Sequence, residues 1–163
     1  MKNIFSDKLK KEIDSIKLKF PKDKNKSSII ESLLKIQHDN GGFLSEDLIE
    51  NLAEYLNLQK IDVYEVATFY SMFNLKPVGK NVISVCTNVS CMLRNSDQIV
   101  DYIEKKLKVK IGESTKDKKF FLKNEMECLA ACNGAPMMQV NHVNYENLTF
   151  QKIDEILDNL KND

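Results

Sequence analysis

The sequence has 163 residues, of which 42% are hydrophobic and 29% are charged, a composition typical of a globular protein and not of a disordered or fibrous chain. Its 24 basic residues balance 24 acidic ones, so no net field attracts a nucleic acid or an anionic membrane surface. No run of about 18 apolar residues occurs, and the N-terminus alternates apolar and charged residues, so neither a transmembrane helix nor a secretory signal is predicted. We expect a cytoplasmic protein that binds no nucleic acid and does not insert into a membrane.

The first two predicted elements are amphipathic helices. Ser6 is the expected N-cap of a helix whose apolar residues recur at steps of three and four, and Pro21 ends this run. Ser28 and Glu31 form a capping-box pattern before the second helix. Gly41-Gly42 supplies the stop signal that ends it.

The next segments predict two more helices and then a linker. Ser45 is the expected N-cap of the third helix. Asp62 is the expected cap of a fourth, VYEVATFYSMF, whose apolar residues cover so much of its circumference that we expect it to be buried or to lie at an interface. The Pro/Gly-containing linker LKPVGK, residues 75–80, ends this helical part. The sequence therefore predicts a helical domain over residues 1–77.

After the linker, the hydrophobic period changes from that of helices to that of strands. Strands are predicted over residues 82–85, 120–122, 137–140 and 143–145. One helix is predicted over residues 97–107, and Thr149 caps a last helix. These elements form an α/β domain over residues 78–163. The predicted fold class is therefore α+β, an N-terminal helical bundle followed by an α/β domain.

All four cysteines lie in this second domain, as two pairs on loops beside predicted strands. Cys86 and Cys91 are separated by four residues, and Cys128 and Cys132 by three. Because loops at strand ends cluster at one edge of an open α/β sheet, we expect the two pairs to converge on one centre. In a reducing compartment, paired cysteines with polar neighbours indicate a metal or cluster site more than disulfides or core residues.

Spacing alone leaves several occupants and activities open. Four cysteines commonly bind a structural zinc ion, although neither pair here is C-x-x-C. A [2Fe–2S] cluster takes two thiolates on each of two irons, and plant-type ferredoxins also contain a C-x4-C step. A thiol–disulfide catalyst places C-x-x-C at a helix start, and that tetrad is absent.

A DNA-binding regulator is a further alternative. Residues 44–73 have the rhythm of a helix-turn-helix, and a cluster beside them would make a redox sensor. The candidate recognition helix contains Asp62 and Glu65 but no Lys or Arg. Groove binding relies on cations to meet phosphates and bases, so this composition argues against the regulator.

Several segments together resemble one known family. They are similar to the thioredoxin-like [2Fe–2S] subunit, the small E-type iron–sulfur subunit, of the NADH-oxidising module of respiratory complex I, a family that also serves NAD(P)-linked hydrogenases and formate dehydrogenases. The resemblance runs from about Ile29 to the end. It rests on CTNVSCMLR (86–94), ECLAACNGAP (127–136) and YENLT (145–149), with GGFLS (41–45) and VYEVATFYSMFNLKPVGK (63–80) resembling the family's helical N-terminal domain.

This resemblance implies a cofactor, a fold and a role. By it, residues 78–163 adopt a thioredoxin-like fold, and one [2Fe–2S] cluster per chain is ligated by Cys86, Cys91, Cys128 and Cys132. The chain would be an electron-transfer protein, not catalytic alone, that exchanges single electrons with a flavin- and NADH-binding iron–sulfur subunit among further subunits. No G-x-G-x-x-G joins a predicted strand to a helix, so we expect the nicotinamide site on that partner. The small subunit of a NAD(P)-reducing or electron-bifurcating hydrogenase, or of a formate dehydrogenase, is the alternative parentage.

One residue departs from the family's pattern. Ala130 stands where the family usually reads glycine in C-L-G-A-C, and alanine would cost stability if the position requires positive φ. Near the site, Glu125 and Glu127 are expected to lower the reduction potential of the cluster, and Arg94 to raise it. Backbone N–H groups of both cysteine loops are expected to donate hydrogen bonds to sulfur.

Overall fold

The computed structural model describes residues 4–123 and 128–162, and the chain divides into two compact units, Met1–Pro77 and Val78–Asp163. The first unit is helical. A short 3₁₀ turn, Asn25–Ser28, precedes its second helix. The four helices of this unit are α1 (Asp7–Lys17), α2 (Ile29–Asp39), α3 (Glu46–Leu56) and α4 (Lys60–Phe69).

Two of the four predicted side-chain caps in this unit are confirmed. The Ser6 hydroxyl oxygen accepts a hydrogen bond from the Leu9 backbone N–H at 3.2 Å, and the Ser45 oxygen accepts one from Leu48 at 3.4 Å. Each bond satisfies a donor that the first turn of a helix leaves without an intrahelical partner. The local sequence therefore predicts correctly where α1 and α3 begin.

The other two predicted caps form no side-chain capping bond, although α2 does begin directly after Ser28. Ser28 lies in the 3₁₀ turn, where its hydroxyl donates to the Asn25 carbonyl at 2.6 Å, so no capping box forms. Helix α4 begins at Lys60, and Asp62 is inside it. The Asp62 carboxylate instead accepts a hydrogen bond from the Lys26 ammonium at 2.7 Å. In both cases, the side chain that the local pattern predicts as the cap makes a different hydrogen bond instead.

The helical unit has its own apolar core, to which all four helices contribute. Fully buried residues in it include Ile13, Leu33, Leu52, Leu56 and Val63. Helix α4 is not buried all round, because Phe69 at its end is 80% exposed. The expected burial of this helix is therefore wrong, and its location at an interface stays a prediction.

In its described residues, 78–123 and 128–162, the second unit is a five-stranded sheet with three helices. The strands are β1 (Asn81–Val85), β2 (Glu113–Ser114), β3 (Phe120–Lys123), β4 (Met138–Val140) and β5 (Val143–Tyr145), and the helices are α5 (Val89–Met92), α6 (Ser96–Leu107) and α7 (Phe150–Asn162). The strand order is β2-β3-β1-β4-β5. Strand β1 pairs in parallel with β3, and the remaining pairs are antiparallel.

Alternate strand residues and two helices form the core of this unit. Ile83, Phe120 and Met138 on the strands are buried together with Ile103 of α6 and Ile153 of α7.

The predicted cap of α7 is confirmed, because the Thr149 hydroxyl oxygen accepts a hydrogen bond from the Lys152 N–H at 3.2 Å. The predicted α+β fold class, with helices first and the sheet second, is confirmed. Among the described helices, none combines the length and apolar character that a bilayer span requires.

Candidate cluster site

The sheet topology brings both cysteine loops to one edge. Strands β1 and β3 run in parallel, with Ser84 opposite Lys123, so their carboxyl ends lie side by side. Strand β4 is antiparallel to β1, and its first residue, Met138, lies opposite Val85. The loop between β3 and β4 therefore begins and ends at the edge where β1 finishes. Cys86 follows β1 directly, and the other cysteine pair lies on that loop.

All four cysteines line one cavity of about 160 Å³ at this edge. Cys86 and Cys91 are buried, whereas Cys128 and Cys132 are exposed. The Cys128 and Cys132 sulfur atoms are 3.6 Å apart. The remaining lining residues are Asn88, Val89, Ser90, Ala131 and Met137. The cavity thus has one buried and one exposed pair of thiols, each pair from its own loop.

Backbone and side-chain hydrogen bonds tie the two loops together. The Cys86 N–H donates to the Met137 carbonyl at 3.1 Å. Four residues beyond β1, helix α5 begins at Val89, and its end is followed by Arg94. The Arg94 guanidinium donates to the Ala135 carbonyl at 3.3 Å, which links the first cysteine loop to the second.

The environment of Cys91 favours its neutral thiol in the absence of a metal. The pKa of the Cys91 thiol is raised to about 11, mainly by burial and also by the neighbouring Cys86 and Cys132 thiols, while a hydrogen bond from the Met137 backbone N–H acts in the opposite direction. Only the thiolate form of a cysteine ligates a metal, so metal binding at Cys91 must release the proton of its thiol.

The arrangement of the sulfurs fits a [2Fe–2S] cluster. Four thiolates on one zinc ion would all lie about 3.8 Å from one another, given Zn–S bonds of about 2.3 Å. Within residues 4–123 and 128–162, no three His, Cys, Asp or Glu side chains have the spacing of a single-ion site. Two pairs of thiols around a shared cavity match two irons with two thiolates each.

Some features of the site have no counterpart in the sequence pattern. Met137, the first residue of the strand predicted over residues 137–140, is buried and lines the cavity. The Gly134 N–H, one of the expected donors to sulfur, instead donates to the Ala131 carbonyl at 3.1 Å. The expected influence of Glu125 and Glu127 falls outside the described residues.

Ala130 has the positive φ that the family's usual glycine at this position suggests. Its φ is +59°, in the left-handed region, which costs an L-residue with a Cβ roughly 1–2 kcal/mol. We expect Ala130→Gly to raise the free energy of unfolding by about 0.5–1 kcal/mol, because the relief of strain exceeds the backbone entropy that glycine loses on folding. Urea denaturation of the second unit measures this change.

The neighbouring alanine is the matched control for this substitution. Ala131 has φ of −112°, so Ala131→Gly gains no relief of strain and is expected to lower the free energy of unfolding. Effects of the same sign at both positions would contradict the strain at Ala130.

An α+β chain with four thiols around a cavity at the sheet edge belongs, by fold and site, to the class of small iron–sulfur electron carriers. Comparison with known families gives a more specific assignment. The model of the thioredoxin-like [2Fe–2S] ferredoxin family matches residues 13–161, and the chain belongs to this family. The family assignment confirms the predicted resemblance, the thioredoxin-like fold and the [2Fe–2S] cofactor, and it makes the chain an electron-transfer protein.

Similar proteins include relatives named as parts of an NADH-quinone oxidoreductase and of an NADH dehydrogenase. The E-type subunit of the NADH-quinone oxidoreductase of Rickettsia bellii (strain RML369-C) is 49% identical over 145 residues, which are 89% of this chain and 86% of the relative. The mitochondrial NADH dehydrogenase [ubiquinone] flavoprotein 2 of Dictyostelium discoideum is 40% identical over 150 residues, 92% of this chain and 60% of that protein.

A solved structure shares the fold. The NAD⁺-reducing [NiFe]-hydrogenase in the air-oxidised state aligns with a TM-score of 0.66 at 18% sequence identity. The alignment covers 79% of this chain and 22% of the hydrogenase chain. At this identity the likeness concerns the fold alone, and this chain corresponds to a minor part of that larger one.

Proposed function

We propose that this chain is the small E-type electron carrier of an NADH-oxidising complex, in which Cys86, Cys91, Cys128 and Cys132 ligate its one [2Fe–2S] cluster. The observation that carries the proposal is that all four sulfurs line one cavity at the sheet edge. When bound, such a cluster accepts and returns one electron at a time. The buried pair and the exposed pair supply two thiolates for each iron.

The relatives favour one parent complex. The identity of 49% to a small subunit of an NADH-quinone oxidoreductase covers most of both chains, which supports a quinone-reducing NADH dehydrogenase over a hydrogenase or a formate dehydrogenase. We propose residues 78–163 as the cluster domain and residues 1–77 as a separate helical domain. A cytoplasmic location is part of the proposal, because four thiols without a disulfide suit a reducing compartment.

A flavin- and NADH-binding subunit is the proposed redox partner, and an apolar surface beside the cavity supports it. Val89, Met92 and Leu93 are exposed, and all three lie on or directly after helix α5, which also carries Cys91. Exposed apolar side chains grouped at one site are typical of interfaces with other proteins. A subunit docked here would bring its own redox centre close to the four sulfurs.

The test uses substitution of Leu93, which is 74% exposed. Leu93→Asp places a charge in the proposed interface without removing a core residue, so the cluster should be retained. We expect the affinity for the flavin- and NADH-binding subunit of the same organism to fall at least about tenfold, equivalent to about 1.4 kcal/mol. Binding of the full chain to that purified subunit gives the affinity, and cluster bleaching by NADH follows electron transfer.

Leu18, which is 86% exposed in the helical unit, gives the matched control. Leu18→Asp should bind the partner as the unchanged chain does. NADH should bleach the cluster only when the partner subunit is present. Equal affinities for the two aspartate variants would argue against this interface, and bleaching by NADH without the partner would contradict the proposed role of a non-catalytic carrier.

A further inference from the structure

The side chain of Glu146 packs directly on the turn that carries Cys132. A Cβ built on Gly134 would overlap Glu146 Oε2 and would lie 2.5 Å from Glu146 Cβ. The Glu146 side chain therefore occupies the space that any residue other than glycine would need. Gly134 is the last residue of the 3₁₀ turn Cys132–Gly134. The carboxylate thus contacts the backbone of the same single turn that begins at Cys132.

The backbone beside Glu146 is bound to this loop as well. The Asn147 N–H donates to the Gly134 carbonyl at 2.6 Å, and the Leu148 N–H donates to the Pro136 carbonyl at 2.9 Å. From helix α7, the Lys152 ammonium donates to the Glu146 carbonyl at 2.5 Å. Residues 146–148 therefore hold residues 134–136 by one side-chain contact and two backbone hydrogen bonds.

The charge of Glu146 is not taken up by an ion pair within the part of the chain that the structure describes. The nearby cation, Lys152, binds the backbone oxygen of Glu146 and not its carboxylate. A negative charge beside an anionic cluster opposes the gain of a further electron, whereas donors and cations favour it. Groups next to ligand residues commonly tune a metal centre in this way.

We propose that Glu146 is a positioning residue of the cluster site, which holds the Cys132 turn in place and lowers the reduction potential of the cluster bound there. This inference rests on the proposed ligation by Cys132. The two effects of Glu146 have separate causes. The packing on Gly134 depends on the shape of the side chain, whereas the reduction potential depends on its charge.

Glu146→Gln tests the effect of charge, because it preserves the shape of the side chain. In the full-length chain with its cluster, we expect a higher midpoint potential in a redox titration followed by EPR, with unchanged iron content. Glu155→Gln is the matched control, since Glu155 is an exposed glutamate on α7 that accepts a hydrogen bond from Gln151. Its midpoint potential should equal that of the unchanged chain.

Gly134→Ala tests whether the effect acts through the contact. The added methyl group displaces the Glu146 side chain from the turn, so Glu146→Gln should produce a smaller shift in this background than in the unchanged chain. Contacting residues show such non-additivity, whereas independent sites add. A full additional shift would contradict action through the packing on Gly134.

Glu146→Ala tests the positioning effect by hydrogen exchange, a measurement that does not depend on the cluster. The amides of Ala135 and Asn147 should exchange faster than in the unchanged chain, and faster than in Glu146→Gln. Unchanged exchange would overturn the positioning effect, and equal potentials for the Glu146→Gln and Glu155→Gln proteins would overturn the electrostatic one. An unchanged chain that binds no iron would instead contradict the proposed function, and the exchange measurement would still decide the positioning effect.

Discussion

Replacing Cys86 by serine is expected to abolish cluster binding, so that the purified protein contains almost no iron and lacks visible absorption. Cys86 is only 2% exposed, so neither water nor an external thiol can easily take the vacated ligand position. A serine hydroxyl ionises far less readily than a thiol and is a poorer ligand for iron. Iron quantification and visible spectroscopy of the full-length variant measure the loss.

The exposed pair should respond less severely than the buried pair. Cys128 is accessible to solvent, so in Cys128→Ser the serine or an external ligand can complete the site, and we expect a residual cluster with an altered EPR spectrum. Ser90→Ala is the matched control, because Ser90 lines the same cavity but carries no thiol. Iron content that is equal in all three variants would refute the assignment of these cysteines.

Replacing Phe120 by alanine is expected to lower the free energy of unfolding of the second unit by about 3–5 kcal/mol. Phe120 is 1% exposed at the start of β3 and belongs to the core shared with α6 and α7. Its loss leaves a cavity in that core, and the loop carrying the second cysteine pair follows this strand. Urea denaturation monitored by a probe in the second unit gives the change.

Phe69 provides a control of the same residue type. It is 80% exposed at the end of α4, so Phe69→Ala should change the free energy of unfolding by no more than about 0.5 kcal/mol. Similar losses for the two phenylalanines would contradict the described burial of Phe120.

The sequence predicts the long periodic elements, but it misses strand β2 and helix α5. Helices α1, α3 and α7 each have an apolar stripe and a serine or threonine cap, and the structure contains all three with these caps. Strand β2 has two residues and helix α5 has four, too few for a hydrophobic period to be visible. Strand β2 forms because it pairs with β3. Helix α5 lies in the loop that carries Cys86 and Cys91.

The candidate site likewise contains some residues that the sequence predicts and others that it does not. The cysteines are recognisable because their spacing and their positions after strands carry local information, and the parallel pairing of β1 and β3 gives the physical reason why their loops meet. Met137 and Glu146 have no such local signal, because contacts between distant segments bring them to the site. The positive φ of Ala130 is predictable only because the family has glycine at that position.

Anomalous diffraction at the iron absorption edge, on crystals of the anaerobically purified chain, tests the central claim most directly. The cavity at the end of β1 should contain two iron peaks, one bonded to each pair of cysteine sulfurs. A single peak with the absorption edge of zinc, an iron site elsewhere in the chain, or sulfurs joined as disulfides with no iron between them would contradict the account.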